Sequence, residues 1–130
     1  MCALLITVAL IVPTTVRAAP KTPCQHSRNL VGKCFRIRGR LLAYNGAPTF
    51  RIWPVGTHRL LGVNGSGAHA DDADQPDLGP LLQDVTPSGG DWFKASVYGD
   101  YLVCPFTRSR PGHMQFVCIA KAAHRVMRPR

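Results

Sequence analysis

The sequence predicts an all-β protein, a small five-stranded barrel that carries a short helical turn and is stapled by disulfides. Three observations predict this class. Residues 35–43 alternate between apolar and basic side chains, Asn45-Gly46 follows that segment closely, and four cysteines lie beyond the first few residues. Alternation with a period of two is typical of a strand that buries one face. An Asn-Gly pair is the strongest short signal for a hairpin turn.

The first predicted strand begins after Cys34 and sorts its side chains onto two faces. One face carries Phe35, Ile37, Gly39, Leu41 and Ala43. The other face carries Arg36, Arg38, Arg40 and Tyr44. A two-residue loop at Asn45-Gly46 would pair Leu41 with Phe50, Arg40 with Arg51 and Arg38 with Trp53. Two arginines directly across a ladder destabilise a sheet unless an anion or an acidic side chain lies between them.

The remainder of the chain predicts three more strands and a polar linker. Pro54 ends the second strand because proline donates no hydrogen bond to a ladder, and residues 58–63 form the third strand. Residues 64–77 lack apolar periodicity and predict a loop, which a short helical turn within 78–84 follows. Residues 92–106 predict one long bent strand or two short ones, and residues 114–120 predict the last strand. The predicted organisation is a signal peptide at 1–18, a lead segment at 19–33, a single barrel at 34–127 and a basic tail at 128–130.

Residues 1–18 have the pattern of an export signal. Ala3 to Val12 form an apolar run that is too short to span a bilayer, for which about 20 residues are needed. The small residues Val16 and Ala18 stand at the positions that a signal peptidase requires for a cut after Ala18. The sequence therefore predicts an exported protein with no stable membrane anchor.

The cysteines agree with export. Cys2 leaves with the signal peptide, and an even set remains, which an oxidising compartment would join in two disulfides. This set consists of Cys24, Cys34, Cys104 and Cys118. A loop at 110–112, with Gly112 in the left-handed conformation, would place Cys104 opposite Cys118. One possible connectivity is then Cys24–Cys34 with Cys104–Cys118, and pairings that join Cys34 to the C-terminal hairpin remain open.

The order of the elements looks like a small OB-type barrel, with a glycine in the first strand and only a short helical element after the third. The most informative stretches are Gly39-Arg40-Leu41, Tyr44-Asn45-Gly46, Arg51-Ile52-Trp53, Gly99-Asp100 and Val103-Cys104-Pro105. They are similar to stretches in short exported bacterial proteins of uncharacterised function. The resemblance implies an OB-like fold and a periplasmic or secreted location, and it assigns no functional residue.

Charge and aromatic content make the basic strand face the best candidate site. The chain has 16 Lys and Arg against 7 acidic residues, a formal net charge of +9, which attracts anionic partners at long range. The candidate ligand-binding residues are Arg36, Arg38, Arg40, Tyr44, Arg51 and Trp53. Arginine presents a planar fork that matches phosphate or carboxylate, and aromatic rings can stack on bases. The expected ligand is a nucleic acid, a phosphorylated envelope sugar or a lipid head group.

The alternative interpretation of this face is an ordinary solvated strand surface. Its arginines would then pair with the acidic side chains of the following loop, which are Asp71, Asp72, Asp74 and Asp77.

Motifs for catalysis and metal binding are scarce. All acidic residues are Asp, so a Glu general acid or base is excluded, and Asn64-Gly65-Ser66-Gly67 lacks the setting of a nucleophile elbow. The histidines His58, His113 and His124 are isolated in sequence. The segment with His69, Asp71, Asp72 and Asp74 lacks the pattern of a calcium loop, so no metal and no cofactor is expected.

These observations together predict an exported, non-enzymatic binding or accessory protein whose ligand is anionic. The first alternative is a structural or protein-partner module of the cell envelope, with an envelope protein as its partner. The second is a small hydrolase. No residue pattern indicates an oligomeric state.

Overall fold

The computed structural model describes residues 23–66, 76, 78–85 and 90–130. Its strands are β1 (Phe35–Ala43), β2 (Phe50–Pro54), β3 (Leu61–Val63), β4 (Ala95–Pro105) and β5 (Gln115–Pro129). One turn of α-helix, α1 (Gly79–Leu82), lies between β3 and β4, and 3-10 turns occur at Cys24–His26 and Trp92–Lys94. Within these ranges, no helix has the length and apolar character needed to cross a membrane.

The five strands close into a ring in the order β1-β2-β3-β5-β4, with β4 paired to β1. The β3–β5 pair is parallel, with Leu61 opposite Gln115, and the other four pairs are antiparallel. This mixed, closed sheet confirms the predicted fold class, an all-β structure of five strands with a short helical turn and two disulfides.

The β1–β2 register differs from the predicted one by two residues. Arg40 faces Trp53, and the residue opposite Arg51 is Leu42. The predicted Arg40–Arg51 and Arg38–Trp53 pairs are therefore wrong. A shift of two residues still leaves every side chain on its predicted face, because side chains alternate with a period of two.

The β1–β2 turn is longer than Asn45-Gly46 and includes Pro48. The strands meet beyond it, where the Tyr44 N–H donates to the Thr49 carbonyl at 2.8 Å. The peptide bond between Ala47 and Pro48 is cis.

The inward faces of the strands form one apolar core. It contains Leu41, Ile52, Leu61, Val63, Leu78, Leu82, Val97, Tyr101, Val103, Val117 and Ile119. Gly39 is required at its edge, because a Cβ atom there would collide with the Ile52 side chain. The buried Tyr101 hydroxyl donates to the Val97 carbonyl at 2.8 Å. Burial raises the pKa of Tyr101, an effect that the charge of Arg125 partly opposes, so the phenol stays neutral in the core.

The lead segment forms a second apolar cluster against the β4–β5 hairpin. Disulfides join Cys24 to Cys118 and Cys34 to Cys104. Cys104 and Cys118 do lie opposite each other, as the 110–112 loop predicts, but each is bonded to the lead segment. The structure thus has a connectivity that joins Cys34 to the C-terminal hairpin, and the Cys24–Cys34 pairing is wrong. Two disulfides indicate an oxidising, non-cytoplasmic environment.

The last strand is longer than predicted. β5 continues to Pro129, and Arg128 and Pro129 pair with Ser96 and Ala95 on β4, so these two residues of the predicted tail belong to the sheet. A register shift in this ladder accompanies a positive φ of 48° at His124. The extension carries basic side chains across the outer face of the barrel.

Candidate anion-binding groove

The strand registers align four side chains in a row across the outer face of the barrel. Arg40 on β1 lies opposite Trp53 on β2 and Tyr98 on β4. Tyr98 in turn lies opposite Val126 on β5. Side chains of directly opposite residues point to the same side of a sheet, with Cβ atoms about 5 Å apart. Aromatic and basic groups therefore alternate over β2, β1 and β4.

The two neighbouring rows add further cations. In one of them Arg38 lies opposite Asp100, and in the other Ser96 on β4 lies between Leu42 on β1 and Arg128 on β5. The three arginines thus lie in adjacent rows, Arg38 and Arg40 on β1 and Arg128 on β5, with Tyr98 on β4 between them.

A groove with a volume of ≈ 500 Å³ follows these rows. We call it the arginine groove, and its lining residues are Arg38, Arg40, Ser96, Tyr98, Val126, Arg128 and Pro129. Three of the side chains are guanidinium groups, and no carboxylate is among the described residues of the lining. Guanidinium groups offer several N–H donors in a fixed plane, which suits them to bind oxyanions.

Arg40 occupies the centre of this groove. Its guanidinium carbon lies 5.9 Å from the centre of the Tyr98 ring, within the range of a cation–π interaction. Its Nε is buried and has no hydrogen-bond partner. A buried N–H of a charged group is costly when no acceptor is supplied by protein, water or ligand. Arg40 therefore combines a fixed position with an unmet need for an acceptor.

Asp100 lies beside the groove, between Arg38 and His124. Arg38 Nη1 donates to Asp100 Oδ1 at 3.0 Å, and His124 Nδ1 lies 2.7 Å from Asp100 Oδ2. The hydrogen bond with His124, and then that with Arg38, lower the pKa of Asp100 below its ordinary value, although burial acts in the opposite direction. Asp100 thus holds Arg38 at the groove while offsetting part of its charge.

The Arg38–Asp100 pair is relevant to the alternative interpretation, in which the basic face is a solvated surface whose arginines pair with the acidic loop. Asp71, Asp72, Asp74, Asp77 and the neighbouring His69 lie outside the described residues. In the described part of the chain, the one ion pair made by the predicted arginines is Arg38 with Asp100.

Two of the predicted residues belong to a separate cluster at the end of the face. The Tyr44 ring lies near two guanidinium carbons, that of Arg51 at 4.8 Å and that of Arg130 at 5.3 Å. Arg51 Nε donates to the Pro48 carbonyl at 3.1 Å, and Arg130 Nη1 donates to the Ala43 carbonyl at 2.9 Å. These bonds tie both arginines to the β1–β2 turn. Tyr44 and Arg51 therefore flank the arginine groove rather than line it.

The remaining predicted residues lie on either side of the groove. Trp53 adjoins Arg40 in the same row, and its Nε1 donates to the Thr57 carbonyl at 2.6 Å. Arg36 is exposed, lies opposite Leu102 and does not line the groove. Of the six candidate residues, the structure brings Arg38 and Arg40 together in the groove.

Sequence reasoning missed the part of the groove that β4 and β5 contribute. Ser96 and Tyr98 are two positions apart on β4, as are Val126 and Arg128 on β5. The sequence prediction places Arg128 in the basic tail at 128–130 and so leaves it outside the sheet. The strand predicted at 92–106 already contains Ser96 and Tyr98, and their shared face was the signal for the β4 part of the groove.

The described residues contain one group of possible metal ligands, the sulfur atoms of Cys24, Cys104 and Cys118, which lie within 4.8 Å of one another. Each of these cysteines belongs to a disulfide, so none offers a thiolate.

Comparisons with protein-family models, with curated proteins and with solved structures found no match for this chain.

Proposed function

We propose that this chain is an exported, non-enzymatic protein that binds a phosphate-bearing ligand in the arginine groove. The observation that carries the proposal is the state of Arg40, a partly buried cation that Tyr98 supports and whose Nε has no partner. An oxyanion in the groove would accept hydrogen bonds from the guanidinium groups of Arg40 and Arg128 at once. Bonds between a guanidinium and an oxyanion are among the stronger hydrogen bonds in proteins.

The aromatic residues favour a phosphate group over a stacked base as the bound moiety. The Tyr98 ring is engaged by Arg40, and the Tyr44 ring is engaged by Arg51 and Arg130. A nucleobase would have to compete with these guanidinium groups for the ring faces on which single strands usually stack. We therefore propose a phosphorylated envelope sugar or a lipid head group, which share this phosphate chemistry, as the ligand.

The proposed location is the bacterial periplasm or the exterior of the cell. Both disulfides require an oxidising compartment to form and persist. The signal peptide predicted at residues 1–18 lies outside the described residues. Its prediction supplies the route to that compartment.

Retention on phosphocellulose tests the groove. We expect the double variant Arg40→Gln/Arg128→Gln to elute at a clearly lower salt concentration than wild type. The matched control is Arg28→Gln/Lys121→Gln, which removes the same charge from exposed positions outside the groove. The control should elute only slightly earlier than wild type. Equal elution of the two double variants would contradict the groove and leave the protein-partner module as the stronger hypothesis.

Competition distinguishes the sources of the phosphate. A soluble sugar phosphate, vesicles that contain phosphatidylglycerol and a single-stranded oligonucleotide are each used to displace the bound protein. Displacement by the first indicates a sugar ligand, and displacement by the second indicates a lipid head group. If only the oligonucleotide displaces the protein, the preference for a sugar or lipid phosphate is wrong.

A further inference from the structure

A second basic pocket lies where the β2–β3 and β4–β5 connections meet. Leu61 and Gln115, the first residues of β3 and β5, lie opposite each other in the parallel ladder. This pairing brings the segments that precede them together. The pocket has a volume of ≈ 420 Å³. We call it the histidine–arginine pocket, and it is lined by residues 58–60 and 109–115.

The charges in this pocket have one sign. Two arginines, Arg59 and Arg110, and two histidines, His58 and His113, line it, and the lining holds no carboxylate among the described residues.

Arg59 is held in position by a buried amide. Its Nη2 donates to Gln115 Oε1 at 2.6 Å, and Gln115 Nε2 donates to the Thr107 carbonyl at 2.9 Å. Gln115 is only 7 % exposed, so both ends of its amide are used inside the protein. The Arg59 N–H also donates to Thr57 Oγ1, at 3.2 Å. A guanidinium that is fixed in this way loses less conformational entropy when it binds an anion.

The opposite wall is built by a tight turn. The His113 N–H donates to the Arg110 carbonyl at 3.2 Å, and Gly112 has a positive φ of 74°, which glycine adopts without strain. The turn presents Arg110 and His113 to the pocket together.

We propose that the histidine–arginine pocket binds the phosphate monoester of a small organic molecule. The cations match the charge of a phosphate, and the volume exceeds what a bare phosphate ion needs and falls within the range of small-molecule sites. Leu60, Pro111 and Met114 supply apolar surface for the organic part of the ligand. This site is separate from the arginine groove, because the two share no lining residue.

Titration of ¹⁵N-labelled protein with phenyl phosphate and with inorganic phosphate tests the proposal. We expect chemical-shift changes at the backbone amides of residues 58–60, 109, 110 and 112–115, with phenyl phosphate binding more tightly than inorganic phosphate. Amide shifts confined to the arginine groove, or equal affinity for the two ligands, would overturn the proposal.

Variants separate this site from the groove. Arg59→Gln and Arg110→Gln should each weaken phenyl phosphate binding roughly tenfold, which corresponds to the loss of one charge-assisted hydrogen bond. The matched control Arg28→Gln should bind as wild type does. Arg40→Gln/Arg128→Gln should leave these shifts intact, so failure at one site is distinguishable from failure at the other. Unchanged affinity in both Arg59→Gln and Arg110→Gln would refute the pocket.

Discussion

Arg38 and Asp100 face each other across β1 and β4, and their side chains join at 3.0 Å beside the arginine groove. This is the one carboxylate that the described residues place against the three groove arginines. It opposes anion binding, because it offsets part of the charge of Arg38, and it also restrains that side chain. Removal of the Asp100 charge should therefore strengthen anion binding, whereas removal of a groove arginine should weaken it.

We expect Asp100→Asn to bind phosphocellulose more tightly than wild type does. The amide keeps the shape of the side chain but removes the negative charge, which frees Arg38 for the ligand. Elution of this variant at a higher salt concentration is the measurement. Asp91→Asn is the matched control, since Asp91 pairs with Lys94 and does not line the groove. Identical elution of the two variants would show that Arg38 does not participate.

Asp100 also predicts how the stability depends on pH. Its pKa in the folded state is lowered from the ordinary value of 3.8, chiefly by His124 and then by Arg38. A lowered pKa stabilises the fold above the ordinary value, and this contribution is lost as the pH falls through the folded-state pKa. Urea unfolding of wild type and Asp100→Asn should therefore differ at pH ~6 and converge near pH ~2. A difference that persists unchanged at the acidic end would contradict this assignment.

Tyr98 should contribute to binding through Arg40. Tyr98→Leu removes the ring that lies under the guanidinium, and the expected loss of binding free energy is about 0.5–1 kcal/mol. Tyr98→Phe keeps the ring and should bind nearly as wild type does. Affinity for a soluble sugar phosphate, measured by calorimetry, compares the two. An equal loss in both variants would assign the effect to the phenolic hydroxyl.

The disulfide connectivity is open to direct test. Proteolysis without reduction, followed by mass spectrometry, should recover a peptide pair joined by Cys24–Cys118 and another joined by Cys34–Cys104. Cys24→Ser/Cys118→Ser opens a bridge that spans a sequence separation of 94 residues. We expect it to lower the free energy of unfolding by about 2–5 kcal/mol, measured by urea titration. Recovery of a Cys104–Cys118 peptide would contradict this arrangement.

The absence of a side chain at Gly39 leaves room for the Ile52 side chain of β2 to pack against β1. Gly39→Ala should lower the free energy of unfolding by about 1–3 kcal/mol, because the new methyl group collides with Ile52. Gly32→Ala is the control, since a Cβ there meets only the Pro105 side chain, at an ordinary 3.6 Å. Similar urea midpoints for the two variants would show that β1 can shift to accept the methyl group.

The strand faces could be predicted from sequence because local alternation determines them. Arg38 and Arg40 could be assigned to the outer face and Leu41 to the core without knowledge of any partner strand. The exact neighbours could not be predicted, because they depend on the length of the turn, which includes Pro48 and is longer than the Asn-Gly signal indicates. Trp53 therefore lies opposite Arg40, and not opposite its predicted partner Arg38.

The disulfides and the β5 side of the groove depend on contacts that are distant in sequence. Counting from Gly112 predicted correctly that Cys104 lies opposite Cys118, but whether they bond depends on where the lead segment packs. Arg128 lines the groove because β4 begins at Ala95, so that Ser96 can pair with Arg128. Nothing in the local composition after His124 distinguishes that strand from a solvated tail.

Gln115 connects two properties of the molecule that are usually independent. It begins the parallel pairing of β3 with β5, and its side-chain amide orients Arg59. β3 is the shortest strand of the ring, and the Arg59–Gln115 hydrogen bond joins the segment that precedes it to β5. A ligand that binds Arg59 contacts one partner of this hydrogen bond. Ligand binding and the opening of the β3–β5 pair are therefore thermodynamically linked. Ligand binding in the histidine–arginine pocket should then slow amide hydrogen exchange along Leu61–Val63, although these residues do not line the pocket.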